Sequence, residues 1–202
     1  MPLPREGWRD LIGTLSVKGP AGTTDPHFDT YRGTIKEWSF PNSAAHVHEA
    51  FFNFHVPHDY APGTDMFIHV HWSQIVVDTG GAGGIPGNVK WSFDTSLSRG
   101  HGTPGGAADP FRATKTVSVV QQGSTTQYGH LLAEVQLTST AGSTTLFEHA
   151  AIEVDGIIQV RLYRDSEDAS DTLNQTPFVH SVDIHYLSLE GGTLKRVPPF
   201  YR

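Results

Sequence analysis

The sequence predicts an all-β protein: an antiparallel β-sandwich, jelly-roll-like, with an extended N-terminal arm and long glycine-rich loops. Three observations carry that reading. From residue 46 onward, apolar and polar residues alternate with period two in one segment after another, which turns one face of each segment inward. Gly, Pro, Asn and Asp clusters separate these runs, with no ten-residue helical pattern between them, which disfavours a parallel α/β sheet. Charged residues are 17% against about 25% in an average domain, and Lys, Glu, Ala and Leu are too sparse for long helices.

The elements follow in order. Residues 1–45 carry Pro2, Pro4, Gly7, Gly13, Gly19, Pro20, Gly22, Pro26, Gly33 and Pro41, a spacing that permits only short strands, around 14–17 and 34–40. This is the expected arm. Residues 46–190 form the sandwich and 191–202 a C-terminal tail. Segment 47–56 is rich in Phe and Val. Segment 65–77 places Ile68, Val70 and Trp72 on one face and Phe67, His69, His71 and Ser73 on the other. The Pro-containing turn between them, 57–63, predicts that the two strands pair as a hairpin. Segment 88–98 turns Val89, Trp91, Phe93 and Thr95 inward. Strands are expected at 114–122 and 129–138, and 145–154 reads as either a short helix or a strand. Segment 157–164 faces inward with Ile158, Val160 and Leu162. Segment 178–189 is expected to put Phe178, Val182, Ile184 and Tyr186 on one face. The Gly-rich stretches 80–87 and 100–110 read as loops that reach solvent or a neighbouring subunit.

Composition excludes several classes. A length of 202 residues bounds the chain at one domain with appendages. No apolar run approaches the roughly 18 residues of a membrane span. The first residues lack the apolar core of a secretory leader, so none is expected. A net charge of −7 disfavours nucleic acid as a partner. Cys is absent, which removes thiol catalysis and Cys-based zinc sites. Gly-x-Ser-x-Gly and the phosphate-loop signature are both absent, and no enzymatic activity is expected.

Chemistry-bearing residues cluster in three places. His69 and His71, at i and i+2 on one strand, point to the same face and can present two imidazoles to one divalent metal. His185, on the last long strand, is the candidate third ligand, and an oligomer axis is one place where such a site would be completed. His46, His48, His55 and His58 read as fillers of an inter-subunit face. Asp165, Glu167, Asp168 and Asp171 follow a strand end and offer oxygen donors at short spacing, a candidate cation site. The competing reading of that turn is a capped turn neutralised by Arg161 and Arg164. Trp38, Trp72, Trp91, Tyr31 and Tyr60 are candidates for a carbohydrate platform, although Trp72 and Trp91 sit at inward positions.

Two resemblances bear on these residues. Gly63, five residues, then His69-Val-His71 resembles the opening of the cupin metal motif, which implies a metal-dependent jelly-roll enzyme using His69 and His71. That motif next requires Glu, and here Ile75 and Val76 stand at those positions. The stretch Val56-Pro-His-Asp-Tyr60, then Gly63-Thr-Asp65, then Ile68-His-Val-His-Trp72 resembles the "LPHDY-x-x-GTD" and "HIHW" blocks of a family of tailed-bacteriophage virion proteins. Arg161-Leu-Tyr-Arg-Asp-Ser-Glu-Asp-Ala-Ser-Asp-Thr172 resembles its "RLFRD-x-x-D-A-x-DT" block, and Asp183-Ile-His-Tyr186 its "DFHY" close. The resemblance implies a non-enzymatic virion structural protein, assembled in the host cytoplasm. The expected role is capsid decoration (cement) or a fibre-base subunit attached to head or tail. It further implies partners in itself, as a homotrimer, and in other virion proteins such as the major capsid protein. A cupin-like enzyme and a carbohydrate-binding adhesion module are the alternatives. Low charge and draping loops fit a surface covered by neighbours.

Overall fold

A computed structural model describes residues 6–18, 24–43, 47–79, 84–101, 109–189 and 191–192. Twelve strands follow in chain order: β1 (Glu6–Ile12), β2 (His27–Arg32), β3 (Ile35–Ser39), β4 (Glu49–His55), β5 (Met66–Gln74), β6 (Asn88–Ser98), β7 (Lys115–Gln122), β8 (Leu131–Gln136), β9 (Thr138–Ser139), β10 (Phe147–Glu148), β11 (Ile157–Arg164) and β12 (Pro177–Leu189). The segment left open between helix and strand holds β10 and a single 3-10 turn, His149–Ala151.

The strands form two main sheets. One runs β2-β3-β12-β5-β8, with β1 also paired to β12; the other runs β4-β11-β6-β7. Number the eight body strands β3 to β8, β11 and β12 from first to eighth. One sheet then reads first, eighth, third, sixth, and the other second, seventh, fourth, fifth. That is the jelly-roll order, and every pairing in these two sheets is antiparallel.

The inward faces are those the alternation predicts. Ile68, Val70 and Trp72 of β5 and Val89, Trp91 and Phe93 of β6 are fully buried, as are Leu162, Val182 and Ile184. The sheets meet at Trp72 and Trp91, whose rings contact edge to face at 6.0 Å. Tyr60 is also fully buried, so Trp72, Trp91 and Tyr60 build the interior and not an exposed platform, while Trp38 is partly buried against the core.

Two expectations change, and the N-terminal segment gains its partners. β4 and β5 do not pair as a hairpin; the turn between them crosses from one sheet to the other, because each strand buries its apolar face from the opposite side. The extended N-terminal segment is held against its own domain over its described length. β1 pairs with β12 from Glu6↔Leu189 to Ile12↔Asp183, and Ser16 bridges Phe51. Pairing satisfies backbone groups that a free arm would leave to water. Finally, a β-bulge between Val179 and Ser181 shifts the phase of β12. Phe178 therefore lies opposite Ser73, on the other side from Val182 and Ile184.

Candidate functional site

The outer face of the first sheet gathers most of the chemistry. The register places Asp183 of β12, His69 of β5 and Glu134 of β8 side by side on one rung. One step along, Ser181 lies opposite His71, and one step the other way Asp10 of β1 lies opposite His185. His69 and His71 share this face, as their spacing requires. The face points away from the sandwich interior, which Ile68, Val70 and Trp72 fill. A metal here would sit on the surface of the sheet, not in an enclosed cupin-like cavity.

Hydrogen bonds and ion pairs hold these side chains. His69 Nε2 lies 2.8 Å from Glu134 Oε2, and His69 Nδ1 faces Asp183 Oδ2 at 3.3 Å. His71 Nε2 is 2.9 Å from Asp183 Oδ1, and its Nδ1 is 2.9 Å from His130 Nε2. His185 approaches His69 at 4.8 Å between ring centroids and bonds Asp10 through Nδ1 at 2.5 Å. Asp183 is buried at 2% exposure. Burial pushes its carboxyl above the usual carboxylate range, against the opposing pull of His69 and His71. The three sequence-predicted histidines lie on one face, but their donor atoms fall into two groups: His69 and His71 with Asp183, and His69 and His185 with Asp10. The structure adds Asp183, Glu134 and Asp10, which come from strands distant in sequence.

The other predicted sites fall elsewhere. The acidic turn is neutralised from within. Asp171 pairs with Arg164, and Asp168 pairs with Lys90 and the Ser170 hydroxyl. Asp165 lies 3.2 Å from Lys90 Nζ. Among the described residues, no group of three potential metal-ligand side chains arises in this turn. His48 is buried, with Nδ1 3.0 Å from the Asp25 carbonyl. His55 and His58, with His101, converge on Asp155 at 3.3, 2.8 and 3.1 Å. His46 lies outside the described residues.

Sequence reasoning missed a groove of about 470 Å³ on the outer face of the second sheet. Two rungs across three strands form its floor. Phe51, Arg161 and Asp94 make one rung; Asn53, Gln159 and Ser96 make the next. Cross-strand neighbours sit about 5 Å apart, so these six side chains present one array. Arg161 is clamped between two carboxylates: Nε bonds Glu49, and Nη1 bonds Asp94 at 2.6 Å. Its guanidinium stacks over Tyr163 at 4.3 Å. Burial would weaken the charge on Arg161, but the bonds to Glu49 and Asp94 outweigh it and raise its pKa. Burial would likewise raise Glu49, yet bonds from Lys18, Arg161 and Thr24 hold it below the usual range. Among the residues lining the groove, one cation, Arg161, pairs with one anion, Asp94, and their charges balance. The sequence signal was present in the polar positions of β4, β6 and β11, but only the strand order shows that they adjoin.

No family model matches the chain, and no curated protein matches it. Among solved structures, the chain is similar to the CBM35 module from Cellvibrio japonicus Abf62, at TM-score 0.39 and 10% identity. That likeness covers 92% of this chain and 99% of the other. It is also similar to a xylan-binding module, CBM15, at TM-score 0.35 and 13% identity, covering 89% of this chain and 90% of that one.

Proposed function

We propose that this jelly roll is a non-catalytic recognition module that binds a neutral glycan in the groove of its second sheet. One observation carries the reading: the two-rung array of Phe51, Arg161 and Asp94 beside Asn53, Gln159 and Ser96. Carboxamides and hydroxyls offer both donors and acceptors, the pairing that sugar hydroxyls require. Arg161 and Asp94 hold each other in place and so act as fixed polar groups. Phe51 supplies an apolar surface for the C–H face of a sugar ring. Charge balance disfavours phosphate- or sulfate-bearing ligands, which require net positive charge.

The test is a glycan array probed with the purified chain. Binding to neutral oligosaccharides, lost in the double variant Asn53→Ala/Gln159→Ala, is the expected result. Retention of anionic glycans alone, or of none, overturns the reading.

A second reading is a structural subunit of a virion, the role implied by the sequence resemblance. The observation favouring it is the exposed apolar surface of β1, where Ile12 is 73% and Trp8 50% exposed. Such side chains suit burial against a second copy of the chain. Sedimentation at micromolar concentration tests it: a trimer dissociated by Ile12→Lys supports the reading, and a monomer throughout removes it.

A further inference from the structure

We propose that His69, His71 and Asp183 bind one divalent transition metal of the zinc class on the outer face of the first sheet. The donor atoms of these three residues all lie within 4.8 Å of one another. Two imidazole nitrogens and one carboxylate oxygen suit zinc, cobalt or nickel better than calcium or magnesium, which favour all-oxygen sites.

Asp183 gives the strongest argument. It is almost wholly buried, and its Oδ2 accepts no hydrogen bond from any described residue. A buried carboxylate oxygen without a donor is costly, and a cation between the two imidazoles would satisfy it. Each imidazole also has its second nitrogen engaged. His69 Nε2–H donates to Glu134, which leaves Nδ1 as the lone-pair nitrogen facing Asp183. His71 Nδ1 lies 2.9 Å from His130 Nε2, a contact that can hold the proton on Nδ1 when a metal replaces the Nε2 proton facing the same carboxylate. Outer hydrogen bonds of this kind set the tautomer of metal-ligating histidines. The strand pairing supplies rigidity, because His69 lies directly opposite Asp183.

A neighbouring group, Asp10 with His69 and His185, shares one imidazole. Asp10 is exposed and already bonded to His185, so it lacks the buried, unpartnered donor. The favoured set is complete within one chain and needs no oligomer axis.

The experiment uses the full chain stripped with a chelator, then titrated with zinc chloride by calorimetry and with cobalt chloride by visible absorption. One equivalent is expected to bind, with a cobalt d–d band. Asp183→Asn and His71→Gln are expected to abolish both signals, and Asp10→Asn and His185→Gln to preserve them. Glu134→Gln is expected to weaken zinc binding by about 10- to 100-fold. Circular dichroism of each metal-free variant checks folding. Should Asp183→Asn unfold, His71→Gln, on the more exposed side, decides the matter. Absence of saturable binding overturns the proposal, as does loss in Asp10→Asn with retention in His71→Gln.

Discussion

Arg164 and Asp171 form a two-pronged ion pair with both side chains completely buried. Arg164 Nε bonds Oδ2 at 3.0 Å and Nη2 bonds Oδ1 at 2.8 Å. The guanidinium also donates to the carbonyls of Phe40, Leu173 and Gln175, so one residue ties two loop segments, the one after β3 and the one between β11 and β12, to the end of β11. Removing one member of such a pair leaves an uncompensated buried charge, which costs about 3–5 kcal/mol. Arg164→Met is therefore expected to lower unfolding stability by that amount in urea titration. A loss below 1 kcal/mol would contradict the assigned role.

Trp72 and Trp91 share the core but differ in one bond. Trp72 Nε1 donates to Gln121 Oε1 at 2.6 Å, and Gln121 Nε2 in turn bonds the Leu132 carbonyl. This chain of bonds joins β5, β7 and β8 where the two sheets meet. Among the described residues, Trp91 Nε1 is buried without a hydrogen-bond partner. Both Trp→Phe changes remove similar volume, but only Trp72→Phe leaves an acceptor unpaired. Trp72→Phe is expected to cost about 1 kcal/mol more than Trp91→Phe, read from denaturant midpoints.

Acid is expected to destabilise the fold in a defined window. Burial would raise the Asp155 carboxyl, but the bond from His101 and the charges of His58 and His55 outweigh it and hold it below its ordinary value of 3.8. Glu49 is also depressed, burial being outweighed by bonds from Lys18, Arg161 and Thr24, as are Asp65, by its bond from His149, and Asp109, by its bond from Arg99. A carboxylate with a depressed folded pKa contributes stability that is present above its unfolded value and lost as pH falls through the folded one. Melting temperature is thus expected to fall as pH drops below about 4. Asp155 sits at φ +64°, a left-handed conformation that Asn tolerates, so Asp155→Asn preserves the backbone. The variant is expected to show a shallower fall in melting temperature than the unmodified chain. Identical slopes would remove Asp155 from the account.

Local pattern made much of the fold legible. β6 and β11 run over the segments that alternation marks out, because one buried face imposes period two on each. His69 and His71 share a face for the same reason. Their partners were hidden, because Asp183, Glu134 and Asp10 reach them only through the register of β12, β8 and β1. The misplaced Phe178 has a local cause. One extra residue at the bulge inverts parity, and apolar residues occur on both sides of it. The β4–β5 hairpin failed because a turn rich in Pro and Gly serves a sheet-to-sheet crossing as well as a reversal. The groove stayed unseen because Asn53, Ser96 and Gln159 are unremarkable polar residues until β11 lies between β4 and β6.

The central claim is that the Asn53–Gln159 face recognises sugar. The direct measurement is a nitrogen–proton correlation spectrum recorded while a neutral oligosaccharide from the array is titrated into the isotope-labelled chain. The predicted result is saturable shifts at the backbone amides of 51–53, 94–96 and 159–161, together with the side-chain amides of Asn53 and Gln159. Shifts confined to β5 and β12, or none at millimolar sugar, would contradict it.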